Sequence, residues 1–177
     1  MNDSISRRVP LASAPLLLID GYNLLYATGI LSQGADEGTL AGARRALLGW
    51  LCHSLPDNQR ARTVVVFDAH NPPPGLADKF DHQGLQVHFA RGYENADALI
   101  EQYVDDNNAP RQLTVVSSDH RVQRSARRRK ATAVDSGAWY RQQGERVREQ
   151  PSPASDKPEG KLSAGQVESW LEFFGEE

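Results

Sequence analysis

The chain contains a single cysteine, Cys52, in 177 residues. That excludes an intrachain disulfide framework and any metal cluster built on several thiolates, and it suits a reducing cytoplasm. Cys52 sits in Leu47-Leu48-Gly49-Trp50-Leu51-Cys52, where a small core residue is expected rather than a nucleophile. No stretch approaches the ~18 uninterrupted apolar residues of a membrane span, so no membrane partner is expected. The sequence has no G-x-x-x-x-G-K-[ST] and no G-x-G-x-x-G after a strand, which removes the nucleotide P-loop and the dinucleotide fingerprint. None of the five histidines, His53, His70, His82, His88 and His120, pairs with another at zinc-ligand spacing. Ser6-Arg7-Arg8 superficially matches a twin-arginine export signal. Pro10 and Pro15 interrupt the apolar part, and cleavage there would remove the first strand.

What is present is ordinary in bulk and specific in arrangement. Hydrophobic residues make up 39% and charged residues 24%, which supports one domain with a proper core. Leu16-Leu17-Leu18-Ile19-Asp20, Thr63-Val64-Val65-Val66-Phe67-Asp68 and Leu113-Thr114-Val115-Val116-Ser117-Ser118-Asp119 read as strands buried on both faces, each closed by an aspartate. Gly84–Ala90 reads as a shorter, more alternating strand and Ala131–Val134 as a last one. Helical spacing separates them. Residues 36–54 carry Leu40, Ala43, Leu47, Leu48 and Leu51 on one face, with Arg44 and Arg45 assigned to the polar side. Residues 93–104 carry Ala96, Leu99, Ile100, Tyr103 and Val104. The expected fold is α/β, with helices flanking a mainly parallel sheet of four or five strands. Residues 1–14 read as a flexible tail, 15–150 as the domain, 151–162 as a linker and 163–177 as an amphipathic C-terminal helix with Val167, Trp170, Leu171 and Phe174 in a stripe.

In an open parallel sheet, ligands bind beyond the carboxyl ends of the strands. Asp20, Asp68 and Asp119 lie at such ends, and Glu94 and Asp97 open a helix entering from the same edge. Any one of them could simply cap a helix or face solvent. Together they repel one another unless a cation joins them. Oxygen donors without His or Cys suit Mg²⁺ or Mn²⁺, which supports phosphodiester hydrolysis. Ser117 and Ser118 are hydroxyl nucleophiles in principle, but no base or oxyanion arrangement accompanies them.

Charge is unevenly spread. Arg121, Arg124, Arg127, Arg128, Arg129 and Lys130 occur without an intervening acid, and residues 121–148 hold nine of the 20 Lys and Arg against Asp135 and Glu145 alone. A solvated helix face is the bland explanation; a polyanion such as RNA is the functional one.

Leu18-Ile19-Asp20-Gly21-Tyr22-Asn23, Val66-Phe67-Asp68-Ala69-His70, Glu94-Asn95-Ala96-Asp97 followed by Glu101, and Ser117-Ser118-Asp119 resemble, in order, the motifs of the YacP-like NYN-domain ribonucleases, small bacterial members of the PIN-like class. The resemblance implies a PIN-like, three-layer α/β domain over 15–150 and a cytoplasmic, divalent-metal-dependent endoribonuclease. It further implies association with the ribosome and cleavage of mRNA. By position it implies a catalytic set of Asp20, Asn23, Asp68, Asp97 and Asp119, with Asp20, Asp97, Asp119 and Glu94 as metal acids. Asn23 positions the site, and Asp68 either completes it or ties the following loop through His70. The arginine run would hold the RNA backbone. Two rivals from other classes are a non-catalytic RNA- or ribosome-binding adaptor and a metal-dependent phosphatase.

Overall fold

Leu17–Asp20 forms β1, and its alternation decides the architecture. Leu17 and Ile19 enter one hydrophobic core and Leu18 enters another on the opposite face. Strand geometry sends successive side chains to opposite sides, so a run apolar at every position must be covered twice. The computed structural model describes residues 15–29, 37–69 and 77–149. The proposed tail, linker and C-terminal helix, the Pro-rich stretch after Asn71 and His70 lie outside them. By contacts the chain divides into Met1–Val147 and Arg148–Glu177; the sheet and both its cores belong to the first unit.

β1 is followed by α1 (Gly21–Thr28), α2 (Glu37–Ser54), the one-turn α3 (Asp57–Arg60), β2 (Thr63–Phe67), β3 (Lys79–His82) and β4 (Leu85–Phe89). Then come α4 (Ala96–Asp106), a 3₁₀ turn at Pro110–Gln112, β5 (Thr114–Val116), α5 (His120–Arg128), β6 (Thr132–Val134) and α6 (Ser136–Glu149). The sheet order is β3-β4-β2-β1-β5-β6, and every pairing is parallel except β3 with β4. The three-layer α/β fold is as expected, with six strands rather than four or five. The additional strand is Lys79–His82, which joins β4 through a tight turn with Gln83 at φ 53° and Gly84 at φ 91°. Both central residues in the left-handed region fit a primed hairpin turn.

One core lies between the sheet and α1, α2 and α6, through Leu24, Leu25, Leu47, Leu51 and Trp139. The other lies under α4 and α5, through Leu99, Ile100, Val104, Val122 and Ala126. Cys52 is buried with its Sγ 3.7 Å from the His82 carbonyl oxygen, in keeping with its reading as a core residue. Arg44 departs from expectation. It is only 6% exposed, its Nη1 donates to the Tyr22 hydroxyl at 2.6 Å, and its Cζ lies 5.6 Å from the Phe89 ring centroid, while Arg45 is exposed. A guanidinium can enter an aromatic setting when a polar partner and a ring face receive it. Among the described residues no helix is long and apolar enough to cross a membrane.

Candidate active site

The parallel strands β2, β1, β5 and β6 are adjacent, and beyond their carboxyl ends follow Asp68, Asp20, Asp119 and Asp135. Asp20 both ends β1 and caps α1. Its Oδ1 accepts from the Asn23 amide at 3.2 Å, and its Oδ2 accepts from Ser117 Oγ at 3.0 Å. The helix-cap reading and the site reading therefore describe the same carboxylate. Asp20 is 6% exposed. Burial pushes its pKa up to about 6 against the pull of those two hydrogen bonds, and the charges of Asp97 and Asp119 add to the rise.

Asp119 repeats the device at the next junction. Its Oδ1 caps α5, accepting from the Arg121 amide at 2.6 Å and the Val122 amide at 3.2 Å. Its own amide donates to Ser117 Oγ at 3.1 Å. Asp97 lies in the first turn of α4, whose cap is Asn95. Burial raises the Asp97 pKa, then the charge of Asp119 does so, while Arg121 opposes. Asp68 acts electrostatically on both Asp97 and Tyr22. Glu94 is exposed, and its charge is felt by Arg121. Asp20, Asp97 and Asp119 thus form the nucleus, with Asp68 and Glu94 at its margins.

Two residues give the nucleus its frame. Ser117, fully buried, touches two of the acids through one hydroxyl, donating to the Asp20 carboxylate and accepting from the Asp119 amide. Asn23 Oδ1 accepts from the Ser118 amide at 2.8 Å and Ser136 Oγ at 3.1 Å, tying α1 to β5 and α6. Asp135 is a further acid of this edge that the sequence pattern did not single out. Its Oδ2 accepts from Ser118 Oγ at 2.5 Å and its Oδ1 from the Ala138 amide at 2.9 Å, and the Ser118 bond foremost lowers its pKa. The signal was available, because Asp135 also follows directly on a strand. Gly21 is required by close approach rather than by a turn: a Cβ there would stand 2.3 Å from the Phe67 ring. Tyr22 packs edge-on against that ring, with centroids 5.2 Å apart.

The arginine run divides. Arg121 Nε and Nη2 hold Glu101 at 3.0 and 2.9 Å. Arg129 Nη2 donates to the carbonyls of Asp105 and Asn107 at 3.0 and 3.2 Å, closing the end of α4. Arg127 reaches Gln123 Oε1 at 3.0 Å, and Arg128 stands 3.7 Å from Asp105. Arg124, Arg127, Arg128 and Lys130 are exposed.

Oxygen-only donors, with the charges of Asp97 and Asp119 raising the pKa of Asp20, suit a hard cation. Among the described residues, however, no three His, Cys, Asp or Glu side chains are already gathered closely enough to enclose one.

The profile of the YacP-like NYN domain matches residues 17–173. The chain belongs to the YacP-like NYN domain family. Two crystal structures of Rae1 (YacP) from Bacillus subtilis resemble it. One is 28% identical with a TM-score of 0.55, covering 90% of this chain and 91% of Rae1. The other, a tryptophan-to-leucine mutant of Rae1, is 26% identical with a TM-score of 0.52, covering 75% and 76%. No curated protein matches. Membership in the YacP-like NYN family gives the domain a nuclease-like, RNA-related function. The matched span contains Asp20, Asp68, Asp97, Asp119 and Asp135 together.

Proposed function

We propose that the chain is a divalent-metal-dependent endoribonuclease that hydrolyses RNA phosphodiester bonds, with ribosome-associated mRNA as its substrate in a cytoplasmic setting. The observation that carries this reading is Asp20. A carboxylate 6% exposed, raised to about 6 and placed beside two further acids is costly to keep unless a cation uses it. Asp20, Asp97 and Asp119 would hold Mg²⁺ or Mn²⁺, with Glu94 at the margin. When bound, such an ion supplies Lewis-acid charge at a phosphate and lowers the pKa of water.

The chain's own residues supply position. Ser117 fixes Asp20 and the Asp119 backbone with one hydroxyl, so the two acids keep their spacing when RNA arrives. Asn23 locks α1 to the ends of β5 and α6, and its role is to orient rather than to react. A non-catalytic RNA- or ribosome-binding adaptor remains the rival, and the crowding of acids where RNA must approach argues against it. Incubating the full chain with a mixed RNA and Mn²⁺, with and without chelator, decides between them. Chelator-sensitive internal cleavage is expected, and intact RNA bound under both conditions would establish the adaptor.

A further inference from the structure

Arg121 lies two residues beyond Asp119, at the start of α5, and the charges of Glu101, Asp97 and Glu94 all act on it. Glu101, from α4, takes two of its N–H groups in a bidentate grip, through Nε at 3.0 Å and Nη2 at 2.9 Å. A guanidinium carries five N–H donors in a fixed plane. The grip consumes one edge and leaves both hydrogens of Nη1 and one of Nη2 directed elsewhere. The side chain is 49% exposed, and as a mere clasp between two helices an ion pair this exposed contributes little.

We propose that Arg121 is the phosphate-engaging residue of the site. Glu101 holds one edge of the guanidinium, and the opposite edge meets a non-bridging oxygen of the RNA phosphate brought to Asp20, Asp97 and Asp119. This inference rests on the ribonuclease reading. A phosphate entering an acid cluster is repelled, and a planar cation clamped at its margin offsets that repulsion with directed hydrogen bonds. Lysine cannot replace it, because a single ammonium does not serve a bidentate carboxylate and a phosphate in the same geometry. Glu101 is a positioning residue, acting through Arg121.

The test is steady-state cleavage of a labelled single-stranded RNA by the full chain in Mn²⁺, with melting temperatures measured in parallel. Arg121→Ala and Arg121→Lys should each lower kcat/KM about 100-fold while melting close to wild type. Glu101→Gln should lower it about tenfold, since the arginine remains but loses its fixed edge. Wild-type rates for Arg121→Lys would overturn the proposal. So would a loss in Arg121→Ala that merely tracks a lowered melting temperature. If wild type cleaves no RNA in Mn²⁺, the ribonuclease reading fails and takes this inference with it. Normal wild-type cleavage with an unimpaired Arg121→Ala overturns this inference alone.

Discussion

Ser117 and Asp20, 97 residues apart in the chain, are joined by a 3.0 Å hydrogen bond from the serine Oγ to the carboxylate Oδ2. The same hydroxyl accepts the Asp119 amide at 3.1 Å, so one buried side chain sets the spacing of two acids from neighbouring strands. The arrangement keeps Asp20 ionisable in a desolvated place, which costs stability.

Asp20→Asn should therefore abolish cleavage yet stabilise the metal-free protein. The folded-state pKa of Asp20, about 6, lies above the ordinary 3.8. Above pH 6 the folded state must carry a charge that the unfolded chain carries freely, and this penalty fades as pH falls from 6 towards 3.8. Its size is up to about 3 kcal/mol. Thermal melts in chelator should show the variant above wild type at pH 7.5 and the gap closing near pH 4. Added Mn²⁺ should raise the melting temperature of wild type only. A variant less stable at pH 7.5, or one still stabilised by Mn²⁺, would count against Asp20 as a desolvated metal acid.

Gly21→Ala tests the packing behind the site. The new methyl would stand 2.3, 2.5 and 2.8 Å from three atoms of the Phe67 ring, which is itself fully buried. Overpacking of this kind costs about 1–3 kcal/mol or more, and here it displaces the first residue after Asp20. Denaturant unfolding should show that loss, and Gly21→Ala with Phe67→Leu should recover part of it. Unchanged stability in the single variant would mean that the ring yields freely.

Most of the fold was legible because β1, β2 and β5 are apolar runs closed by acids, and because α4 carries a regular stripe. β3 was not, since Lys79-Phe80-Asp81-His82 holds one apolar side chain and its turn is Gln-Gly rather than Asn-Gly. Arg44 defeats periodicity for a different reason. Its phenol partner, Tyr22, lies on another helix, and periodicity cannot see a partner brought in by the fold. The acids could be named from their places at strand ends, while the work of Ser117 and Asn23 depends on hydrogen bonds spanning 97 and 95 residues. Asp135 obeys the strand-end rule too, but it sits within the basic sector, where its neighbours' charge masks it.

The buried His88 predicts an acid-dependent loss of stability unrelated to the acids. His88 is hydrogen-bonded to the Tyr103 hydroxyl, and burial, followed by the charge of Lys79, lowers its pKa to about 4. The unfolded chain takes up a proton near pH 6.5 that the folded ring refuses. Stability from this group is thus complete above pH 6.5 and is lost as pH falls from 6.5 to 4, by about 3 kcal/mol. His88→Gln keeps a hydrogen-bonding side chain without the titration. Its stability deficit relative to wild type should shrink as pH drops from about 7 to about 4.5, with the opposing contribution of Asp20 cancelling in the comparison. A pH-independent difference between the two proteins would refute this account.

The arginine run calls for a division of labour that RNA binding can expose. α5 begins at the Asp119 cap, and at about 1.5 Å per residue Arg124, Arg127 and Arg128 lie one to three turns from it. All three are exposed, whereas Arg129 is committed to the carbonyls at the end of α4. Replacing Arg124, Arg127 and Arg128 together by alanine should weaken binding to single-stranded RNA without lowering the melting temperature. The slope of log affinity against log salt should become shallower by up to about 2, at roughly 0.7 for each phosphate no longer neutralised. Arg129→Ala should do the reverse, lowering stability through the uncapped carbonyls and leaving the salt slope nearly unchanged. Measuring both variants by fluorescence anisotropy across a salt series separates the two roles. An unaltered slope in the triple variant would return that helix face to solvent.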